Sequence, residues 1–269
     1  MIGVVLSSRA ATLERPDGAI VAYDVCGQGP PLVFVHGLTS IRQSWEPVTS
    51  LLADGATCVT VDLRGHGASS RAADYTMPAL ASDVRAVVDR VGLGDATIVG
   101  HSMGATVAAV YAAAYPARGV VCVDSTLRFG DFGATVQARG DALRGDRTME
   151  AVLAIDHELG LEPYTDIGAL EHRVLSFPRD VVLGLWATLL TTPVDQLTAT
   201  AETLVARITS PLLSIHGSSP PAGYEAWLKA LAPQAQVEVW NGSGHMLHLV
   251  DPARFAERIR GFVADALER

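Results

Sequence analysis

Basic residues are scarce in this chain. Twenty arginines and lysines stand against 29 aspartates and glutamates, for a formal net charge of -9, and Lys229 is the only lysine. No basic cluster is present to meet a phosphate backbone, which excludes nucleic acid as a partner. Cysteine is rare too. Cys26, Cys58 and Cys122 are odd in number and far apart, and two of them lie in apolar runs. They read as small core residues, so a disulfide scaffold is excluded and a reduced cytoplasmic setting is expected. The short apolar run near Met1 has no basic residues before it, so no export signal is expected. Internal repeats and low-complexity segments are missing.

Several chemistries are excluded by absent motifs. There is no Gly-Lys-Ser/Thr phosphate loop, and Gly92-Leu93-Gly94 precedes an apolar strand instead of following one, so no dinucleotide fingerprint is present. His245-Met246-Leu247-His248 lacks the glutamate and the third ligand of a zinc protease. Neither a metal nor an organic cofactor is implied.

What the chain does have is apolar bulk, at 49% of its residues, and therefore the means to bury a core. Short runs of strand formers are expected as strands at Ile20 to Val25, Leu32 to Val35, Thr57 to Val61, Ala96 to Gly100, Gly119 to Val123, Leu212 to His216 and Val237 to Trp240. Between them the periodicity predicts helices over Trp45 to Leu52, Met77 to Val91 behind a Thr76 cap, Ala222 to Leu231, and onward from Pro252. Strands and helices alternating at this spacing give a parallel sheet with helices on both faces. The alternation stops from Ser125 to Ala206, where only helical periodicity is found, and that segment reads as an insertion.

The chain is organised around Ala96 to Ala117, a stretch without Asp, Glu, Lys or Arg. His101, Ser102, two internal glycines and the Tyr115-Pro116 end exclude a membrane span there. Its centre, Gly100-His101-Ser102-Met103-Gly104, is G-x-S-x-G between a strand and a helix. Such a turn strains the serine backbone and raises its hydroxyl above the sheet edge, and the residues two away must be small. The helix that follows aims free N-H groups at the same point, which suits an oxyanion formed when the serine attacks a carbonyl.

Four motifs, each at a strand end, together resemble those of the α/β-hydrolases: His36-Gly37, Asp62-x-Arg64-Gly65-His66-Gly67-x-Ser69, Gly100-x-Ser102-x-Gly104 and Gly242-Ser243-Gly244-His245. The resemblance implies a mostly parallel eight-stranded sheet with helices on both faces. It divides the chain into a hydrolase core, 1–124 and 207–269, and a helical cap, 125–206. It implies Ser102 as nucleophile and His245 as base, with His248 the rival, and an oxyanion hole from the backbone N-H groups of Met103 and Leu38. Asp62, Arg64 and His66 match the family's structural turn. His36, His66, His101 and His216 read as hydrogen-bonded residues near strand ends, and His157 and His172 as cap residues.

The acid departs from the common pattern. Family members usually place an aspartate after the strand read here as Leu212 to His216, yet that loop is Gly217-Ser218-Ser219-Pro220-Pro221. Asp124 ends the preceding strand, and parallel neighbours lie only ~4.8 Å apart, so it can reach the same imidazole. Some hydrolases of this superfamily use that position. Glu225, or a serine-histidine dyad with no acid, remains open at this stage. The implied activity is cofactor-free hydrolysis of a hydrophobic carboxylic ester or lactone, a small apolar substrate, with Phe129, Phe132 and Trp186 as pocket walls. A cofactor-independent ring-cleaving dioxygenase of the same fold and a non-catalytic ligand receptor are the alternatives.

Overall fold

The computed structural model describes residues 9–161 and 164–267. Eight strands form one sheet: β1 (Arg9–Glu14), β2 (Ile20–Gly27), β3 (Pro31–Val35), β4 (Thr57–Val61), β5 (Thr97–His101), β6 (Gly119–Val123), β7 (Leu212–His216) and β8 (Ala235–Val239). Their spatial order is β1-β2-β4-β3-β5-β6-β7-β8. The pairs β1 to β2 and β2 to β4 are antiparallel and all others parallel, so the sheet is mostly parallel.

Alternation along the strands explains why both faces carry helices. On β3, Val33 and Val35 enter one core, whereas Leu32 and Phe34 enter the other. Val120 and Cys122 of β6 divide from Val121 and Val123 in the same way. The first core lies under α2 (Met77–Val91) and α3 (Met103–Ala114). The second lies under α1 (Glu46–Leu52) and the C-terminal helix Pro252–Leu267, through Trp45, Val48, Leu52, Phe255, Ile259 and Phe262. A fully buried Val, Leu or Phe is worth about 1.5–3 kcal/mol, so two such layers supply most of the driving force.

Seven of the strands match the sequence expectation within two residues, and β1 was not among those expected. It is a short edge strand with exposed and half-buried residues, RAATLE, whose alternation is too shallow to separate from a loop. Trp240 lies just past β8 rather than within it, and Leu247–Val250 forms a short helical turn ahead of the last helix. Cys26 pairs in register with Cys58 across β2 and β4, and all three cysteines are free thiols.

Between β6 and β7 the described residues form seven helices: α4 (Phe129–Ala138), α5 (Gly140–Arg144), α6 (Thr148–Glu158), α7 (Ile167–Ser176), α8 (Arg179–Leu185), α9 (Ala187–Thr191) and α10 (Val194–Ala206). Among the described residues no helix is long and apolar enough to cross a membrane.

Strand order locates the site. From β3 the chain first adds β4 on one side, then crosses back to add β5 on the other, so the carboxyl ends of β3 and β5 flank a crevice at the reversal. The loops after β3, β5, β6, β7 and β8 all open at that edge.

Candidate active site

Ser102 occupies the turn between β5 and α3 with φ 52° and ψ -121°, a conformation that L-residues rarely adopt. Sterics hold it there. A Cβ on Gly100 would stand 2.0 Å from the Gly104 carbonyl oxygen, and one on Gly104 would stand 2.3 Å from that of Val35. The Ser102 N-H donates to Val123 O at 2.9 Å, tying the turn to the end of β6. Met103 opens α3, where a first-turn N-H has no intrahelical acceptor. Leu38 follows Gly37, whose Cα approaches so closely that an added Cβ would lie 3.1 Å from Ser102 Cβ.

Asp124 stands level with Ser102, because β5 and β6 pair in parallel with His101 opposite Val123. It too has positive φ, 46°, and Thr39 after β3, at 61°, is the third non-glycine residue of this kind among the described residues. All three sit at the carboxyl edge of the sheet, and the side chains of Ser102 and Asp124 line the same cavity. Asp124 Oδ2 accepts from His245 Nδ1 at 2.6 Å, and Oδ1 accepts from the Gly217 N-H at 2.7 Å. The His245 and Asp124 side chains are only 6% and 9% exposed, so the pair is shielded from water.

The Gly217 contact shows how the loop after β7, which has no carboxylate of its own from Gly217 to Pro221, takes part in holding Asp124. A Cβ at position 217 would lie 1.9 Å from the Gly244 carbonyl oxygen, in the loop that carries His245. No side chain fits there, and the backbone N-H takes the place of a carboxylate by fastening one that arrives from β6. Glu225 is exposed and ion-paired to Lys229 at 2.6 Å, far from this role.

Burial works against a charged His245, but the Asp124 hydrogen bond, the Asp124 charge and Asp156 outweigh it and hold the imidazole above its ordinary 6.5. Burial likewise raises Asp124, and His245 together with the Gly217 N-H more than reverses this, leaving the carboxyl below 3.8. Each partner thus favours the ionised form of the other.

His36, His66, His101 and His248 are built into the core, and burial keeps them neutral. Burial lowers His101 to about 3, and its Nε2-H donates to the His245 carbonyl at 2.9 Å, which fixes the tautomer and braces the His245 loop. His36 is lowered to about 4 by burial; its Nδ1-H donates to Gly37 O and its Nε2 accepts from the Leu63 N-H. His66, lowered by burial to about 3, stacks against Phe177. His248 is buried among Trp45, His101 and Phe255 and does not reach the cavity over Ser102. His216 lines that cavity and bonds Ser214 Oγ at 2.8 Å. His157 pairs with Glu171 at 2.9 Å in the insertion. The Asp62 carboxylate accepts from the N-H groups of Arg42 and Ala68, and Arg64 grips Asp83 through two nitrogens at 2.7 and 2.8 Å.

A cavity of about 830 Å³ lies over Ser102, between the sheet edge and the helical insertion. Ser102, His245, Asp124, Leu38 and Met103 line it, as do Phe129, Phe132 and Trp186. The structure therefore brings every sequence-expected site residue to one space. It forms the Asp124 to His245 bond, while no hydrogen bond joins His245 Nε2 to Ser102 Oγ among the described residues. Such contacts commonly tighten only around substrate. Among the described residues no group of three His, Cys, Asp or Glu side chains is placed to hold a metal ion.

A model of the alpha/beta hydrolase fold matches residues 30–252. The chain belongs to the α/β-hydrolase family. This α/β-hydrolase is 30% identical over 258 residues to 2-(acetamidomethylene)succinate hydrolase of Mesorhizobium japonicum, across 88% of its own length and 89% of that protein's. Among solved structures, Est816, described as an N-acyl homoserine lactone degrading enzyme, superposes with a TM-score of 0.80 at 25% identity, over 94% of this chain and 100% of that one. A thermophilic esterase from Thermogutta terrifontis gives a TM-score of 0.78 at 23% identity, over 97% and 99%, a likeness of fold.

Sequence reasoning missed three features of the site. Gly160, in the insertion, accepts from the His245 N-H at 2.7 Å. The Gly217 N-H holds Asp124. Asp156, on α6, lines the cavity and acts on His245 through its charge. The first two are backbone contacts without a residue signature, and Asp156 lies in helical periodicity that carries no motif.

Proposed function

We propose that this α/β-hydrolase cleaves a largely apolar carboxylic ester or lactone through an acyl-enzyme on Ser102, without a cofactor. The observation that carries the reading is the His245 to Asp124 hydrogen bond at 2.6 Å, shielded from water and beside a serine on a strained turn in the same cavity. Ser102 Oγ attacks the carbonyl carbon as His245 Nε2 takes its proton, and Asp124 holds Nδ1-H and balances the imidazolium. The N-H groups of Met103 and Leu38 receive the oxyanion. His245 then returns its proton to the leaving alkoxide, and a water activated by the same imidazole releases the acid. In a lactone the alkoxide stays attached and leaves as the hydroxyl end of the product.

Phe129, Phe132 and Trp186 form the apolar wall in this reading, with the helices of 125–206 as a cap over the site. Esterase and lactone-degrading neighbours agree with it. The succinate in the name of the Mesorhizobium relative does not carry over well. The cavity wall includes Asp124, Asp131, Asp156 and Glu158, against Arg207 alone among basic side chains, and a dicarboxylate would meet repulsion there.

A fluorophosphonate probe followed by peptide mapping tests the mechanism. Labelling at Ser102, with hydrolysis of apolar phenyl esters and lactones, is the expected result. No label at Ser102, or oxygen uptake with an aromatic hydroxyketone that the probe leaves intact, would overturn it.

A further inference from the structure

Of the acidic side chains around the cavity, three already have partners. Asp124 is bonded to His245, Asp131 pairs with Arg128 at 3.2 Å, and Glu158 pairs with Arg139. Arg207, the basic residue of the wall, is exposed. Asp156 is the exception. It projects from α6 into the cavity between Ile155 and Leu159, and among the described residues no ion pair or hydrogen bond reaches its carboxylate. Half-buried on a largely apolar wall, this carboxylate is free to pair with a cationic group that enters the cavity. Burial pushes its carboxyl up to about 6, with the charges of His245 and His157 opposing, so the group is ionised at neutral pH.

The same enclosure offers aromatic surface. Phe129 and Phe132 lie three residues apart on one face of α4, and the Phe132 and Trp186 rings meet edge to face at 5.8 Å. Ring faces attract organic cations when water is excluded. The apolar lining admits the carbon skeleton of such a group, and the Asp156 carboxylate favours its charge.

We propose that Asp156 is a specificity-determining residue that receives a cationic nitrogen of the substrate, an organic ammonium group carried on an otherwise apolar ester. This rests on the hydrolase reading given above and narrows its substrate class. Asp156 takes no part in bond making; it pairs with the ammonium group while Phe132 and Trp186 pack around the alkyl substituents.

The test uses ester pairs of equal shape that differ by one positive charge. Choline butyrate is compared with its neutral isostere, in which a tert-butyl carbon replaces the nitrogen; a phenyl ester whose acyl chain ends in trimethylammonium is compared with the matching tert-butyl ester. We expect the wild-type enzyme to favour the cationic member of at least one pair by roughly tenfold or more in kcat/KM. Asp156→Asn should remove that preference, read as the ratio of kcat/KM within each ester pair, in which any effect of the lost charge on His245 cancels. A binding measurement separates this from the hydrolase reading: calorimetric titration of Ser102→Ala with phenyltrimethylammonium chloride needs no turnover. Binding in Ser102→Ala that is lost in Ser102→Ala/Asp156→Asn supports the ammonium site even if no ester is cleaved. Equal rates within both pairs together with no binding of the cation, or a preference that survives Asp156→Asn, would overturn the proposal.

Discussion

The chemistry of the site comes down to which proton sits where. In the proposed mechanism Ser102→Ala removes the attacking oxygen and should lower kcat by roughly 10⁴ to 10⁶, with the melting temperature little changed. Asp124→Asn keeps the size of the side chain but loses the charge that holds Nδ1-H, and a loss of up to ~10⁴ is expected. Steady-state kinetics on one apolar ester measure both. The base must be neutral to act, and Asp124 holds His245 above 6.5. The rise of kcat/KM with pH is therefore expected to reach its midpoint above 6.5, and in Asp124→Asn the midpoint of the residual activity should move down. An unmoved midpoint would detach Asp124 from the base. At this scale Ser102 and His245 were legible because glycines mark their loops. Asp124 was legible only as the nearest carboxylate one strand away, since nothing in its neighbours distinguishes an acid that bonds a histidine from one that ends a loop.

At the scale of elements, the loops after β7 and β8 are in backbone contact, and the bare Cα of Gly217 makes that contact possible. Gly217→Ala forces its Cβ into the Gly244 carbonyl at 1.9 Å unless the loops separate. The expected cost is about 1–3 kcal/mol of overpacking, with a melting temperature lower by several degrees. Activity should fall beyond what the lost stability explains, because separation pulls the Gly217 N-H from Asp124 and moves His245. Thermal unfolding alongside kcat measured well below the transition separates the two effects; wild-type values for both would show that the loops have slack. Placing an aspartate at position 217 in an Asp124→Asn background should not restore activity, for the same steric reason. Element identity was readable wherever a short run of buried strand formers stood out from its flanks, as in β3 to β7. It was unreadable in β1, whose shallow pattern gains meaning only from the register Arg9 to Glu14 against Ile20 to Val25.

Across the whole molecule, the buried histidines set the response to acid. His36, His66 and His101 are lowered to about 4, 3 and 3 by burial, and His248 well below 6.5 by the same cause. In the unfolded chain all four titrate near 6.5, so below that pH the unfolded state takes up protons that the folded state refuses. Stability is present in full above 6.5 and falls as the pH drops, each histidine contributing a slope of about 1.4 kcal/mol per pH unit. His245 has the opposite sign: raised in the folded state, its contribution is complete below 6.5 and is lost as the pH rises through its folded value. Asp124, lowered, contributes above 3.8 and loses that contribution as the pH falls. His216 is lowered by burial as well, while Asp156, raised to about 6, favours the folded state as the pH falls, as His245 does. Five groups against two decide the balance, so urea unfolding at stepped pH should show stability decreasing from pH 6.5 toward 4. A flat or rising profile would contradict the neutral assignments.

The linear order of residues was enough to dictate the alternating strands and helices, the strained serine turn with its obligatory small neighbours, and the order of serine, acid and histidine along the chain. These depend on interactions within a few residues: steric exclusion at Cβ, side-chain alternation and helix periodicity. Tertiary structure alone decided that Asp124 and not Glu225 is the carboxylate that bonds His245, that Gly217 and Gly160 anchor Asp124 and His245 through backbone atoms, and that Asp156 faces the cavity. Those outcomes are set by distances between segments brought together when the sheet closes, and a close approach of two backbones leaves no mark in sequence beyond the absence of a side chain.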